Sequence, residues 1–297
     1  MNDNMDIDEL FAHYLNTFTN IRDECIHIMD YGKIEHYKLA NFAMGMMHYF
    51  GERCQAISAL YQYSKPWDCE IIFRSALEST TKLLYVFTPE YDLSLERIIE
   101  FHNDTYSSEY YSRSKKSSHT HQFTNNPDEQ DILAGITLSD DEENEYLSEW
   151  NRKKRKALSQ KWSFSEMIKE IEKSNPDNFL KKLSILSYSY DTSSHFIHAD
   201  RTAITMIWDR NNNREENEAI LLENAHFARL FSDLILLLFL SYHVISKKFG
   251  LTEKSCAMHQ LVLDFQKQSR LFFEVFYESQ RDLYEMLKQN EIQEEEL

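Results

Sequence analysis

The sequence predicts an all-α fold, a multi-helix bundle of long antiparallel helices carrying a polar, charged insertion. The first observation behind this is a scarcity. The 297 residues include only 5 Gly and 4 Pro, against about 7 % and 5 % in ordinary domains. Tight turns call for positive φ, which Gly adopts at little cost, so few such turns fit in this chain. Sandwiches, barrels and the glycine-rich phosphate loops of Rossmann and P-loop folds are disfavoured. Neither G-x-G-x-x-G nor G-x-x-x-x-G-K-[ST] occurs. The second observation is the recurrence of apolar side chains at helical spacing along most of the chain.

Taken in order, residues 6–30 place Leu10, Tyr14, Ile21, Cys25 and Ile28 at that spacing, and Gly32 reads as a C-cap. A second helix covers 34–64, interrupted only by Gly45 and Gly51. Pro66 suits the first turn of a third helix reaching about Phe87, and Pro89 begins a fourth that fades near Ser112. The stretch RSKKSSHTHQFTNN, 113–126, is polar without a period and reads as a loop. The acidic residues 128–149 and the basic run Arg152–Lys156 read as one exposed helix, with Glu149 and Lys153 in the favourable order. Ser163 with Glu166 fits a capping box for a short helix through Lys173, ended by Asn175-Pro176. A helix then runs from about Asp177 to His198. The β-branched RTAITMIWD, 201–209, reads as extended and Asn211–Asn213 as a turn. A strongly apolar helix covers 216–248 and ends at Gly250. Thr252 reads as the cap of a final helix reaching about Leu287, and EIQEEEL frays. The chain thus divides into two halves of a helical core, 1–112 and 161–290, an insertion at 113–160 and an acidic tail at 291–297.

The formal net charge of −17 disfavours non-specific binding to duplex nucleic acid outside a local basic patch. Cys25, Cys54, Cys69 and Cys256 form no C-x-x-C pair, so reduced thiols in a cytoplasmic protein are expected. The acidic N-terminus lacks the apolar segment of a signal peptide. The longest apolar run, Leu234–Leu240, falls short of the roughly 18 residues that span a bilayer, so no membrane association is expected.

Two constellations carry chemistry. Arg74 and Glu78 share one helix face among apolar neighbours. They read either as an exposed or half-buried intrahelical ion pair or as an Arg that holds an anionic ligand while Glu orients it. Tyr190, Ser194 and His198 recur four apart and form a polar stripe, with Asp191 and His195 on a neighbouring stripe and Asp200 and Arg201 at the helix end. His198 suits general acid–base work, because an imidazole titrates near neutrality. The plainer reading is a satisfied network between helices. Arg74, Glu78, Ser194 and His198 are expected to converge, since otherwise each helix would bury a polar stripe without partners.

RSALE at 74–78 followed by LLYVF, then Lys161-Trp162, then Tyr190-x-x-x-Ser194-x-x-x-His198 together resemble an uncharacterised bacterial family of all-helical domains. The resemblance covers roughly residues 35–245. That family is itself similar to the HEPN superfamily (higher eukaryote and prokaryote nucleotide-binding). Many of its members are metal-independent ribonucleases of toxin–antitoxin and phage-defence systems, with Arg, four to six residues and then His on a helix at a dimer interface. The resemblance implies a ribonuclease effector, and here Arg113-SKKSS-His119 fits the spacing. It departs from the pattern in having Ser114 after the Arg and in reading as a loop.

Further readings concern metal and partners. Glu24-x-x-His27 and Glu223-x-x-His226 match half of a di-iron ligand set, which Glu52 and Glu78 could complete. Core or rim histidines are the plainer reading, and no cofactor is expected. Arg152, Lys153, Lys154, Arg155 and Lys156 could track an RNA backbone, and Tyr106, Tyr110 and Tyr111 could stack on bases. The two function classes are therefore a metal-independent ribonuclease and a non-catalytic helical module, expected as a homodimer, that binds a protein or a small anion. Gly45 and Gly51 mark points where another helix or a ligand is expected to come close.

Overall fold

In a computed structural model the structure describes residues 6–174 and 180–281, and among them there is no strand. The helices are α1 (Ile7–Glu35), α2 (Tyr37–Tyr61), α3 (Pro66–Phe87), α4 (Tyr91–Ile99), α5 (Tyr106–His121), α6 (Pro127–Ile136), α7 (Asp140–Glu149), α8 (Arg152–Lys161), α9 (Phe164–Ser174), α10 (Lys182–Ile185), α11 (Ser187–His198), α12 (Arg201–Asn212), α13 (Glu216–Phe249) and α14 (Ser255–Ser279), with a π turn over Glu100–Thr105 between α4 and α5. The described residues form two compact units, one within residues 1–84 and 175–297 and one within residues 85–174. The second unit contains the expected insertion, 113–160, and also takes in α4 and α9. The Asn175-Pro176 break, the helix start at Asp177, the extension to Leu287 and the acidic tail lie outside the described residues.

In the first unit α13 packs against α14 and α1, and α1 against α2. A knot of rings fills the centre. Tyr14 stacks on Phe231 with centroids 4.7 Å apart, Phe11 lies 4.5 Å from Tyr61, and Tyr61 meets Phe227 edge-on at 5.0 Å. By length and composition α13 could cross a membrane, but 78 % of its most apolar window is buried in the fold. It is a core helix. It ends where Gly250 adopts φ +72°, a conformation that suits glycine.

In the second unit the Arg97 guanidinium is buried. It donates to the Tyr85 carbonyl, lies 3.7 Å over the Tyr85 ring and reaches Glu170 at 3.5 Å. Glu100, in the π turn, accepts from Trp162 Nε1 at 2.6 Å and Lys161 Nζ at 2.7 Å.

Four local expectations are corrected. Residues 113–121 are helical, not a loop. The inward residues of α5 are small and polar, so no apolar period marks the helix. Ser117 donates to the Leu133 carbonyl at 2.7 Å and Ser114 accepts from the Leu138 amide at 2.8 Å. The acidic and basic stretches form three helices, not one. Ser139 and Glu142 make a capping box that starts α7, and Asn151 caps α8. Lys154 reaches the Glu149 carbonyl, and no Glu149–Lys153 pair forms among the described residues. Residues 201–209 are helical, because Asp200 accepts from the amides of Thr202 and Ala203 and starts α12 there, and that helix continues through Asn212. Thr252 is not a cap; α14 starts after Lys254 without a side-chain cap.

The glycines also reverse their expected roles. Gly32 lies inside α1, not at its end, and a Cβ there would sit 2.9 Å from the Phe249 ring. That ring stacks on His36 at 5.7 Å. Nothing lies within 4 Å of a Cβ placed at Gly45 or Gly51. The close helix approach is therefore at Gly32. Gly45→Ala and Gly51→Ala are expected to stabilise the protein by about 0.5–1 kcal/mol each, from helix propensity alone. Gly32→Ala is expected to destabilise it despite the same propensity gain, since the ring must be displaced. Urea midpoints of the three variants check this.

Candidate functional site

A buried cluster of charged groups lies in the first unit, where side chains of α3, α11 and α13 meet. Glu70 is 0 % exposed. Its carboxylate accepts from Ser193 Oγ at 2.9 Å and from the Arg229 guanidinium, and His226 Nε2 lies 3.0 Å away. Arg229 also donates to Asp233 at 2.9 Å and to Ser189 Oγ at 3.2 Å. Trp67 closes the layer, stacking on Phe196 at 5.0 Å and meeting His226 at 4.7 Å.

This environment pushes the two carboxyls apart. Burial works to raise Glu70, but Arg229 first, then His226 and Ser193, outweigh it and hold the group at about 2. Burial dominates at Asp233 and pushes it up to about 6 against the pull of Arg229. Burial also lowers His226, with Glu70 opposing.

A second layer lies one turn along α3. Arg74 donates to Glu78 at 3.1 Å and to the Tyr190 hydroxyl at 2.7 Å, and that hydroxyl donates to Glu78 at 3.2 Å. The guanidinium also covers the Tyr190 ring at 4.2 Å. Burial first, then Glu78, raises the Tyr190 phenol. The structure thus brings together Arg74, Glu78 and Tyr190. Ser194 and His198 do not join them; Ser194 is half-buried and His198 exposed. Each four-residue step advances about 40° around a helix, so the stripe leaves α3 by its third member. The inward residues of α11 are instead Ser189, Ser193 and Phe196.

The outer side of α11 has its own arrangement. Ala199 takes a left-handed conformation that turns the chain, and Asp200 folds back so that its Oδ2 lies 2.5 Å from His195 Nδ1. The His195 contact first, then the Ala203 and Thr202 amides, holds the Asp200 carboxyl below its usual range. His198 and Arg201 are exposed beside this corner.

The other candidates are dispersed. Arg113 and His119 are exposed on α5. On α8, Arg152, Lys153, Lys154 and Lys156 are exposed, while Arg155 lies 4.6 Å over the Tyr111 ring and bonds the Trp150 carbonyl. Tyr111 stacks on Tyr146 at 4.7 Å, and Tyr106 on Tyr110 at 6.3 Å. Among the described residues no three His, Cys, Asp or Glu side chains are grouped to hold a metal. Glu24 pairs with Lys254, His27 is exposed, Glu223 pairs with Arg210 and His226 faces Glu70. All four cysteines are free thiols.

Glu70, Ser189, Ser193, Arg229 and Asp233 went unnoticed in the sequence, although a signal existed. Glu70, Arg74 and Glu78 recur four apart on α3, and His226, Arg229 and Asp233 follow at three and four on the apolar α13.

Truncating one side of the Glu70–Arg229 pair leaves a buried charge uncompensated. Arg229→Met is expected to cost about 3–5 kcal/mol, and Glu70→Gln added to it to restore much of that; urea unfolding of both variants measures it. Asp233 has its own pH signature. Its folded pKa of about 6 lies above the ordinary 3.8, so the folded state holds the proton more tightly. Its contribution is fully present below the ordinary value and is lost as pH rises through about 6. Asp233→Asn is therefore expected to gain on the wild type between pH 4 and pH 7, by on the order of 2 kcal/mol, in urea midpoints measured across that range.

No curated protein and no solved structure matches the chain. A family profile matches residues 40–216, from α2 to the first residue of α13. It covers the α3 and α11 sides of the buried cluster and stops short of His226, Arg229 and Asp233. With more than half of its length matched, the chain belongs to the family of unknown function DUF5677.

Proposed function

We propose that this is a HEPN-like helical protein that cleaves RNA without a metal, as an effector of a bacterial defence or toxin–antitoxin system. The observation that carries the reading is the outer face of α11. It presents His198 to solvent beside the exposed Arg201, on a helix whose inner face is fastened by Ser189 and Ser193. An imidazole there can shuttle a proton during attack of a ribose 2′-hydroxyl on the neighbouring phosphorus, and an Arg can neutralise the charge that develops. Arg74 takes no direct part in this reading, because its guanidinium already serves Glu78 and Tyr190. Separately, in the second unit, the exposed cations of α8 offer a surface to an RNA backbone.

Purified protein incubated with total cellular RNA in EDTA tests this. Cleavage is expected, and His198→Ala should lower it by about 100-fold or more. Loss in His119→Ala with His198→Ala intact would move the chemistry to α5. No cleavage by the wild type would sink the reading.

The second reading, a non-catalytic module that associates through helices, is favoured by one observation. Leu271, Phe273, Val275 and Tyr277 on α14, and Ile204 and Trp208 on α12, are all exposed. Packing between copies would cover such residues. Light scattering at micromolar concentration should then show a dimer, and a monomer would overturn that part.

A further inference from the structure

We propose that His195 is the general base of the α11 site and that Asp200 positions it. This assignment rests on the ribonuclease reading above and deepens it.

An in-line displacement at phosphorus without a metal needs one group to take a proton from the attacking hydroxyl and another to give a proton to the leaving oxygen. A single imidazole cannot do both in one step. The outer face of α11 holds two. His195 and His198 are three residues apart and therefore neighbours on the helix surface.

Their surroundings differ. Asp200 is an ionised acceptor, so in its 2.5 Å contact with His195 the hydrogen lies on Nδ1 of the ring. In the neutral ring this places the lone pair on Nε2, at the other edge. The side chains of His195 and Asp200 are each 42 % exposed, open enough for an RNA strand to approach. Among the described residues His198 has no such carboxylate partner, which suits it to act as the acid. Arg201, exposed at the first position of α12, is the nearest cation in sequence. Asp191, exposed one turn before His195, is a further charged group on that helix.

The scaffold holds this geometry still. Ser193 is tied to Glu70, Ser189 to Arg229, and Phe196 is stacked on Trp67, all from the inner face. Asp200 is itself fixed, since its other oxygen accepts from the Thr202 and Ala203 amides. One carboxylate therefore starts α12 and orients His195.

In the step assigned here, His195 Nε2 takes the proton of a ribose 2′-hydroxyl and the 2′-oxygen bonds to phosphorus. The bond from phosphorus to the 5′-oxygen breaks, and that oxygen takes a proton from the His198 imidazolium. The products are a 2′,3′-cyclic phosphate and a 5′-hydroxyl, and water returns both imidazoles to their starting protonation.

The test uses the full chain in EDTA with a labelled oligoribonucleotide and its 2′-deoxy counterpart. His195→Ala is expected to lower cleavage of the first by about 100-fold or more, and the second should not be cut. Asp200→Asn separates orientation from capping, because Asn still caps a helix well. It is expected to fold normally and to lower cleavage about 10-fold, with the loss in kcat and little change in KM, and with Asp200→Glu recovering part of it. Two results would overturn the assignment alone: a His195→Ala enzyme within a few-fold of wild type while His198→Ala is dead, or an Asp200→Asn enzyme with the kcat of the wild type. An inert wild type would overturn both this assignment and the ribonuclease reading.

Discussion

The fold of the first unit turns on one buried carboxylate. Glu70 is fully enclosed, and a lone carboxylate in such a place would take up a proton. It stays ionised because α13 brings Arg229 and His226 to it and α11 brings Ser193. Three helices distant in sequence are thereby required to meet at one point. Arg229 carries the constraint outward to Asp233 and Ser189, and the Arg74–Tyr190–Glu78 layer repeats the pairing of α3 with α11 one turn along.

That constraint gives α11 two different faces. The inner face consists of small hydroxyls and one ring, Ser189, Ser193 and Phe196, that satisfy or cover the charges. The outer face carries Asp191, His195 and His198, and the chain turns at Ala199 so that Asp200 reaches His195. A helix of 12 residues would be marginal alone. Here the charges on one side hold it in place, and its exposed groups keep fixed positions on the other.

The parts of this arrangement readable in the sequence were those with a period or a stop signal. Pro66 and Phe87 bound α3 where expected, and Gly250 ends α13. Failures came where tertiary contacts replaced the local signal. α5 buries Ser114 and Ser117 instead of apolar residues, so its period is invisible to a hydrophobicity argument. In α12 the β-branched residues suggested a strand, yet only Ala203 is buried and the Asp200 cap starts a helix that leaves Ile204 and Trp208 in solvent. For the site, the four-residue recurrence found Arg74, Glu78 and Tyr190 but ran off the contact line at Ser194 and His198. One position away, Ser193 makes the buried contact. Whether an imidazole ends inside or outside depends on a rotation of a few tens of degrees, which sequence spacing alone does not set.

The charges also answer a problem posed by α13. From Leu234 to Leu240 it is buried on every side, and a helix that is apolar all round can slide or rotate against its neighbours with little change in buried area. The polar residues that precede this segment remove that freedom. A slip of one turn, about 5.4 Å, would carry Arg229 away from Glu70 and leave a dry carboxylate facing hydrocarbon. Two charges in the interior contribute little net stability compared with apolar replacements, so their energetic effect lies in the alternatives they penalise. The same penalty keeps Ser189 and Ser193 opposite their partners, and with them the angle at which α11 shows His195 and His198 to solvent.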